Sequence, residues 1–201
     1  MSFSRTLSIQ EAAVLAGVSE KRIRHEIADE VIVPVRDESR VRLPIRALLY
    51  LRLIEAVPLL SKEDRRDLFV LSTSNRTQSG EWLAESRAFV RQGEVPTRLD
   101  IGALLSSVAR QLWIYVQGQR RIEKRADVLG GEPVFAGTRV AVRHVGALAK
   151  KLRPEQLRKE FPRLSDADIS FAILYAQLPM PVGRPTRRVE LRRRAQPRPH
   201  R

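Results

Sequence analysis

The chain has 201 residues, 43% of them apolar, and carries a formal charge of +14 from 37 Lys+Arg against 23 Asp+Glu. That is enough apolar chain for one or two cores, which excludes a wholly disordered protein, and the charge asks for an anionic partner. No cysteine is present, which excludes disulfides, thiolate nucleophiles and cysteine-ligated metals. The absence of an apolar stretch near the start, or of a run of about 18 apolar residues anywhere, makes the cytoplasm the expected location.

Ser8 and Glu11 have capping-box spacing, and Ile9, Ala12, Ala13 and Ala16 share a face, so a helix is expected to begin at Ile9. Gly17 suits a left-handed helix end and Val18 a plug beneath the turn. Ser19 suits the cap of a second helix running to about Asp29. The pattern is that of a helix-turn-helix.

Val31, Ile32, Val33 and Val35, the polar Asp37-Glu38-Ser39, then Val41 and Leu43 read as a short hairpin, made an edge ribbon by Pro34 and Pro44. Ile45 to Val57 reads as a buried helix ended by Pro58. Ser61 and Asp64 cap another with Leu68, Phe69 and Leu71 inward, and Ser72 to Gly80 reads as loop.

Asp100 is placed to cap a long helix with a core-facing stripe of Ile101, Leu104, Leu105, Val108, Leu112, Trp113 and Val116. Trp113 and Tyr115 are expected in the core or an interface. Strands at Val134–Phe135 and Arg139 to Val142 flank a Gly137-Thr138 turn, and helices follow over Arg143 to Lys151, Pro154 to Phe161 and Asp166 to Leu178. From Gly183 to Arg201 there are eight arginines and one acid, Glu190, a formal +7, and five prolines fall from Pro179 onward. Such a segment is expected to be disordered. Lying more than 150 residues from the second helix, it is also expected to be far from it in space.

The expected organisation is mainly α with short β-hairpins. A winged helix-turn-helix spans residues 1–60, a helical connecting region 61–119, a second winged-helix-like module 120–178 and a basic tail 179–201.

On the second helix, Lys21, Arg22, Arg24 and His25 are donors, with Ile23 and Ile27 facing the core. Arg and Lys reach phosphates or guanine edges. Arg36, Arg40 and Arg42 add contacts from a wing, and Ser19 completes the expected DNA-binding set. Five residues separate Gly131 from Gly137 and Arg139 follows Thr138, which does not fit a phosphate-binding Walker loop. His25, His144 and His200 lack a zinc spacing. No nucleophile with a base and an orienting group is recognisable, so no cofactor, metal or catalytic activity is expected.

The stretch Val128-Leu129-Gly130-Gly131-Glu132-Pro133-Val134-Phe135-Ala136-Gly137-Thr138-Arg139-Val140-Ala141-Val142 resembles the opening signature of a small winged-helix family, many of whose members look like antitoxins. The resemblance continues through Pro154-Glu155-Gln156-Leu157, Phe161-Pro162-Arg163-Leu164 and Ala172-Ile173-Leu174-Tyr175-Ala176. It departs at Lys151, where the family often has a helix-ending glycine, and at Arg153, where it often has a capping Ser or Thr. Ile9 to Ile27 resembles MerR-like and excisionase-like regulators.

Together the two halves resemble VapB-type antitoxins. The resemblance implies a PIN-like ribonuclease toxin as partner, operator DNA as ligand and repression of the protein's own operon. A symmetric dimer would read two half-sites about 34 to 36 Å apart. The arginines of the tail, Arg184, Arg187, Arg188, Arg192, Arg193 and Arg194, are expected to pair with the carboxylates of the toxin. A helix-turn-helix transcription regulator without a toxin is the alternative.

Overall fold

The first helix forms where the sequence places it. In the computed structural model, which describes residues 6–37, 40–93, 95–125 and 127–179, α1 (Ile9–Ala16) opens on a complete capping box. The Glu11 N–H donates to the Ser8 hydroxyl at 3.1 Å and the Ser8 N–H to the Glu11 carboxylate at 2.8 Å. Gly17 ends α1 at φ 67°, ψ 32°, a left-handed conformation that favours glycine, and Val18 is buried beneath the corner. The Ser19 hydroxyl then accepts the Arg22 N–H at 3.1 Å and starts α2 (Glu20–Ala28).

Beyond α2 the hairpin differs from expectation. Val31 and Ile32 are buried but not extended, because the chain turns back at Glu30 (φ 58°) and both their N–H groups donate to the Glu26 carbonyl. The ribbon is shorter, β2 (Val35–Asp37) and β3 (Arg40–Pro44). Nor is β3 an edge: β1 (Thr6–Ser8) pairs along its other side, with Leu7 opposite Leu43 and both buried, in the order β1-β3-β2. Pro44 is tolerated at the last position of β3.

The apolar run gives α3 (Ala47–Ala56), buried through Leu48, Tyr50, Leu51, Leu53 and Ile54, and Ser61 caps α4 (Lys62–Thr73) at 3.0 Å. Between α4 and the long helix lies an antiparallel sheet where the sequence pattern predicts a helical connection. It comprises β4 (Gln78–Ser79), β5 (Trp82–Ala84), β6 (Ala88–Arg91) and β7 (Thr97–Asp100), in that order. Trp82 is fully buried, and its indole N–H donates to Asp64 at 2.7 Å, tying the sheet to α4.

Asp100 accepts the Gly102 N–H at 2.7 Å at the start of α5 (Gly102–Arg120). The stripe of α5 is only partly inward. Tyr115 and Ile101 are buried, but Leu105 is exposed and Trp113 is 58% exposed, so Trp113 is not a core residue of this chain.

In the last third, β9 (Val134–Phe135) pairs with β8 (Ile122–Glu123) rather than with Arg139 to Val142, which contributes a single bridge, Val134 to Ala141. The helices α6 (Val142–Leu148), α7 (Pro154–Glu160) and α8 (Asp166–Tyr175) are each shorter than expected. At the start of α7 the Gln156 carboxamide accepts the Arg153 N–H at 2.9 Å, which supplies part of the cap that Arg153 cannot.

Two glycines set the packing of α8. A Cβ on Gly118 would lie 2.0 Å from the Phe171 ring, and one on Gly146 2.3 Å from the Ala172 carbonyl, so α5 and α6 approach α8 more closely than alanine permits. Buried residues from Leu7 to Leu174 form one continuous apolar core. Among the described residues no helix is long and apolar enough to cross a membrane.

Candidate nucleic-acid interface

The two faces of α2 have different work. Ile23 is fully buried and Ile27 packs on the core, as their spacing requires. Between them sits Glu26, a carboxylate with 0% exposure. A buried charge is tolerated only when paired and hydrogen-bonded. Glu26 has three partners: the Tyr50 hydroxyl donates to it at 2.6 Å, Arg22 Nε lies at 3.2 Å, and Arg65 donates from α4. The second arm of Arg65 donates to Asp29 at 3.1 Å. Partial burial favours the neutral Asp29 acid, but the Arg65 hydrogen bond and the charges of His25, Arg65 and Lys62 outweigh it and hold the carboxyl below its ordinary range. Charged bonds to α3 and α4 therefore pin α2 from behind.

This network divides the expected donors. Lys21, Arg24 and His25 are exposed; Arg24 lies 3.5 Å from Glu20 and His25 3.4 Å from Asp29, both surface contacts that an incoming phosphate can displace. Arg22 is half-buried beside Glu26, and its pairing there also helps to hold the helix. Ser19 is exposed, and its hydroxyl is committed to the cap.

The ribbon also separates its arginines. Arg36 pairs in register with Val41, one step out of phase with Arg40 and Arg42. Alternate positions of a strand take opposite faces, so positions 40 and 42 share one face and position 36 takes the other. Arg40 is exposed and Arg42 half-buried; the side chain of Arg36 lies outside the described residues.

Arg184, Arg187, Arg188, Arg192, Arg193 and Arg194 also lie outside the described residues. The last described residues, Leu178 and Pro179, are tied to α6. Arg143 donates to the Leu178 and Pro179 carbonyls at 2.7 and 3.1 Å and stacks its guanidinium over Tyr175, 5.2 Å from the ring centroid. Gln177 borders a hollow of about 390 Å³ whose other walls include Ala13, Val14, Gly17, Val18 and Glu20, the corner between α1 and α2. Tyr175 lies close enough to α1 that the Glu11 charge, after burial and Glu132, contributes to raising its phenol against the opposing effect of Arg143. The turn after α8 thus lies beside the α1–α2 corner, while the tail expected to lie far from α2 is itself outside the described residues.

Sequence reasoning missed Glu26, Arg65 and Tyr50. The one available signal was the four-residue spacing of Arg22 and Glu26; the partners from α3 and α4 are tertiary. Farther along the chain, Arg125, Arg139 and Arg163 border a groove of about 640 Å³ beside the Gly137-Thr138 turn, with Glu160 as the acid on its wall. No curated protein and no solved structure matches this chain. Residues 122–176, spanning β8 to the end of α8, match the family model described as "Protein of unknown function (DUF433)".

Proposed function

We propose that the protein is a DNA-binding repressor of the toxin–antitoxin kind, using α1, the Gly17 corner and α2 as a helix-turn-helix and β2–β3 as its wing. The observation that carries the DNA-binding half is the division of labour on α2. Glu26 locks the inner face to α3 and α4, while Lys21, Arg24 and His25 stand on the outer face. A rigid element with donors on one side suits entry into a major groove. Arg40 and Arg42 on the wing reach the flanking phosphates.

A symmetric dimer, reading two half-sites, accounts for the apolar outward side of α5 at Leu105 and Trp113. The antitoxin half rests on the Val128 to Val142 signature, on the resemblance it carries and on the family match over residues 122–176, which includes it. In this reading the protein also binds a PIN-like ribonuclease directly, works without a cofactor and acts in the cytoplasm.

Mobility-shift titration with DNA from upstream of the protein's own coding sequence tests the first half. Saturable binding at least about 10³-fold tighter than to unrelated duplex is expected, and equal affinity for both refutes a specific repressor. Co-expression with the adjacent gene tests the second. Recovery of a stable complex that suppresses ribonuclease activity supports the antitoxin reading, and its absence reduces the protein to a stand-alone transcription regulator.

A further inference from the structure

The groove beside the Gly137-Thr138 turn is a basic site that the DNA-binding reading leaves without a task. One wall is the turn between β9 and α6, the other the end of α7 with the turn into α8. Of its three arginines, Arg125 is satisfied within the chain, holding Asp127 through two nitrogens at 2.8 and 3.4 Å. Arg139 and Arg163 are exposed and have neither a hydrogen bond nor an ion pair among the described residues, and the same holds for Glu160 on the opposite wall.

The backbone around the groove is already spent. The Gly137 N–H donates to Glu123 at 3.3 Å, and the Thr138 and Leu164 N–H groups donate to the Phe135 and Phe161 carbonyls at 3.0 Å. The Thr138 hydroxyl donates to the Phe135 carbonyl at 2.8 Å and accepts the Val140 N–H at 3.1 Å. An entering peptide strand therefore finds no main-chain ladder at these positions. What the groove offers instead is charge at its side-chain tips and an apolar wall of half-buried Phe161, set edge-on to His144, with exposed Pro162 beside it. Gly137, at φ 72°, has no heavy atom within 4 Å of the place a Cβ would take, so the rim is open.

We propose that this groove binds a nucleoside phosphate, with Arg139 and Arg163 on the phosphate, Phe161 and Pro162 against the base, and Glu160 accepting from an exocyclic amino group. Guanidinium tips pair bidentately with phosphate oxygens, aromatic side chains stack on any base, and a carboxylate accepts from a base amine. The volume of about 640 Å³ is of the size that encloses a small molecule and is more than an isolated phosphate fills. The arrangement differs from a Walker loop, since side chains rather than backbone N–H groups meet the phosphate. A free nucleotide and the end of a single strand present the same group. The inference is independent of the DNA-binding reading, because no residue of α2 or of the wing takes part.

The test titrates the full chain by calorimetry, at about 150 mM salt, with the four ribonucleoside monophosphates, a 5′-phosphorylated hexaribonucleotide, inorganic phosphate and a hexaglutamate peptide. Arg139→Gln with Arg163→Gln is expected to lower nucleotide affinity by at least about tenfold and, both side chains being exposed, to leave Tm unchanged. Lys21→Ala with Arg24→Ala is expected to leave it unaltered. Nucleotides with an amino group on the base are expected to bind more tightly than uridine monophosphate, and Glu160→Gln to reduce that preference. Photo-crosslinking with 8-azidoadenosine monophosphate is expected to mark residues 137–140 or 160–164.

Arginine-dependent binding of the monophosphates identifies a soluble nucleotide as the ligand, and arginine-dependent binding of the hexanucleotide alone identifies a strand end; either supports the proposal. It is overturned if no nucleotide or oligonucleotide binding is lost in the double arginine variant, or if the cross-links fall elsewhere. Inorganic phosphate binding as tightly as the nucleotides removes the base and refutes it as well. Hexaglutamate binding through Arg139 and Arg163 while nucleotides do not bind would make the groove a seat for protein carboxylates and likewise refute it.

Discussion

Replacing Glu26 by Gln isolates the charge behind the candidate recognition helix. Glutamine has nearly the same volume and keeps an oxygen for the Tyr50 hydroxyl, so packing is preserved and the lost quantity is the negative charge facing Arg65 and Arg22. Breaking one side of a buried ion pair costs about 3–5 kcal/mol, because the remaining charge is left desolvated. Arg65 is 12% exposed and retains Asp29 at 3.1 Å, which places the expected loss at the low end, about 3 kcal/mol. For a chain of this size that lowers Tm by about 6–12 °C. The assay is thermal unfolding followed by circular dichroism, with Arg65→Met introduced both into the native chain and into the Glu26→Gln variant. Arg65→Met should cost at least about 1 kcal/mol less in the Glu26→Gln variant than in the native chain. A melting temperature within 2 °C of wild type, or strictly additive effects, would refute the assignment of Glu26 as a paired buried anion.

Three further outcomes are expected. Lys21→Ala with Arg24→Ala should leave Tm unchanged while weakening operator binding by about 1–3 kcal/mol for each base that these side chains read, whereas Arg22→Ala should lower Tm as well; a folded double variant with native affinity in a mobility shift would remove α2 from the interface. Gly118→Ala should lower Tm more than Gly137→Ala, since the first drives a methyl into Phe171 while the second, at φ 72° with open space around it, bears only the backbone penalty of about 1–2 kcal/mol. The reverse order would mean that α5 and α8 part easily. Alkaline pH gives the last. Burial, then the hydrogen bond and charge of Glu26, raise the Tyr50 phenol, and burial with Glu11 does the same for Tyr115. A raised folded-state pKa contributes stability that is complete below the unfolded value of about 10 and is lost as pH climbs above it. Denaturant titrations between pH 9 and 11 should therefore show a falling unfolding free energy, and Tyr50→Phe should flatten the fall; an unaltered profile would deny the Tyr50–Glu26 bond.

The boundaries of α1 and α2 were legible because local chemistry sets them. Ser8, Glu11, Gly17 and Ser19 act within four residues of themselves. The sheet of β4 to β7 was not, because strands of two to four residues are too short for an alternating pattern to show. Val31 and Ile32 have strand-like composition but are held by the Glu26 carbonyl, a tertiary outcome of how α2 ends. Of the candidate interface, the outward donors Lys21, Arg24 and His25 could be read from helical periodicity. The commitment of Arg22 to an inward carboxylate and the placement of the turn after α8 beside the Gly17 corner depend on packing between distant segments.

Glu11 occupies an unusual position in this arrangement. One carboxylate oxygen caps α1 through the Ser8 N–H, and the other accepts the Tyr115 hydroxyl from α5, whose next turn places Gly118 under Phe171 of α8. A cut between residues 119 and 120, the boundary expected from the sequence pattern, would strip α8 from Gly118 and bare the aromatic side of α5 to water. The piece that can be exchanged between related proteins without repacking is therefore not the matched segment alone. It must bring along the turn of α5 that holds Tyr115 and Gly118, together with a glutamate at the start of the first helix. In recombination as in protein engineering, those positions have to travel as one unit.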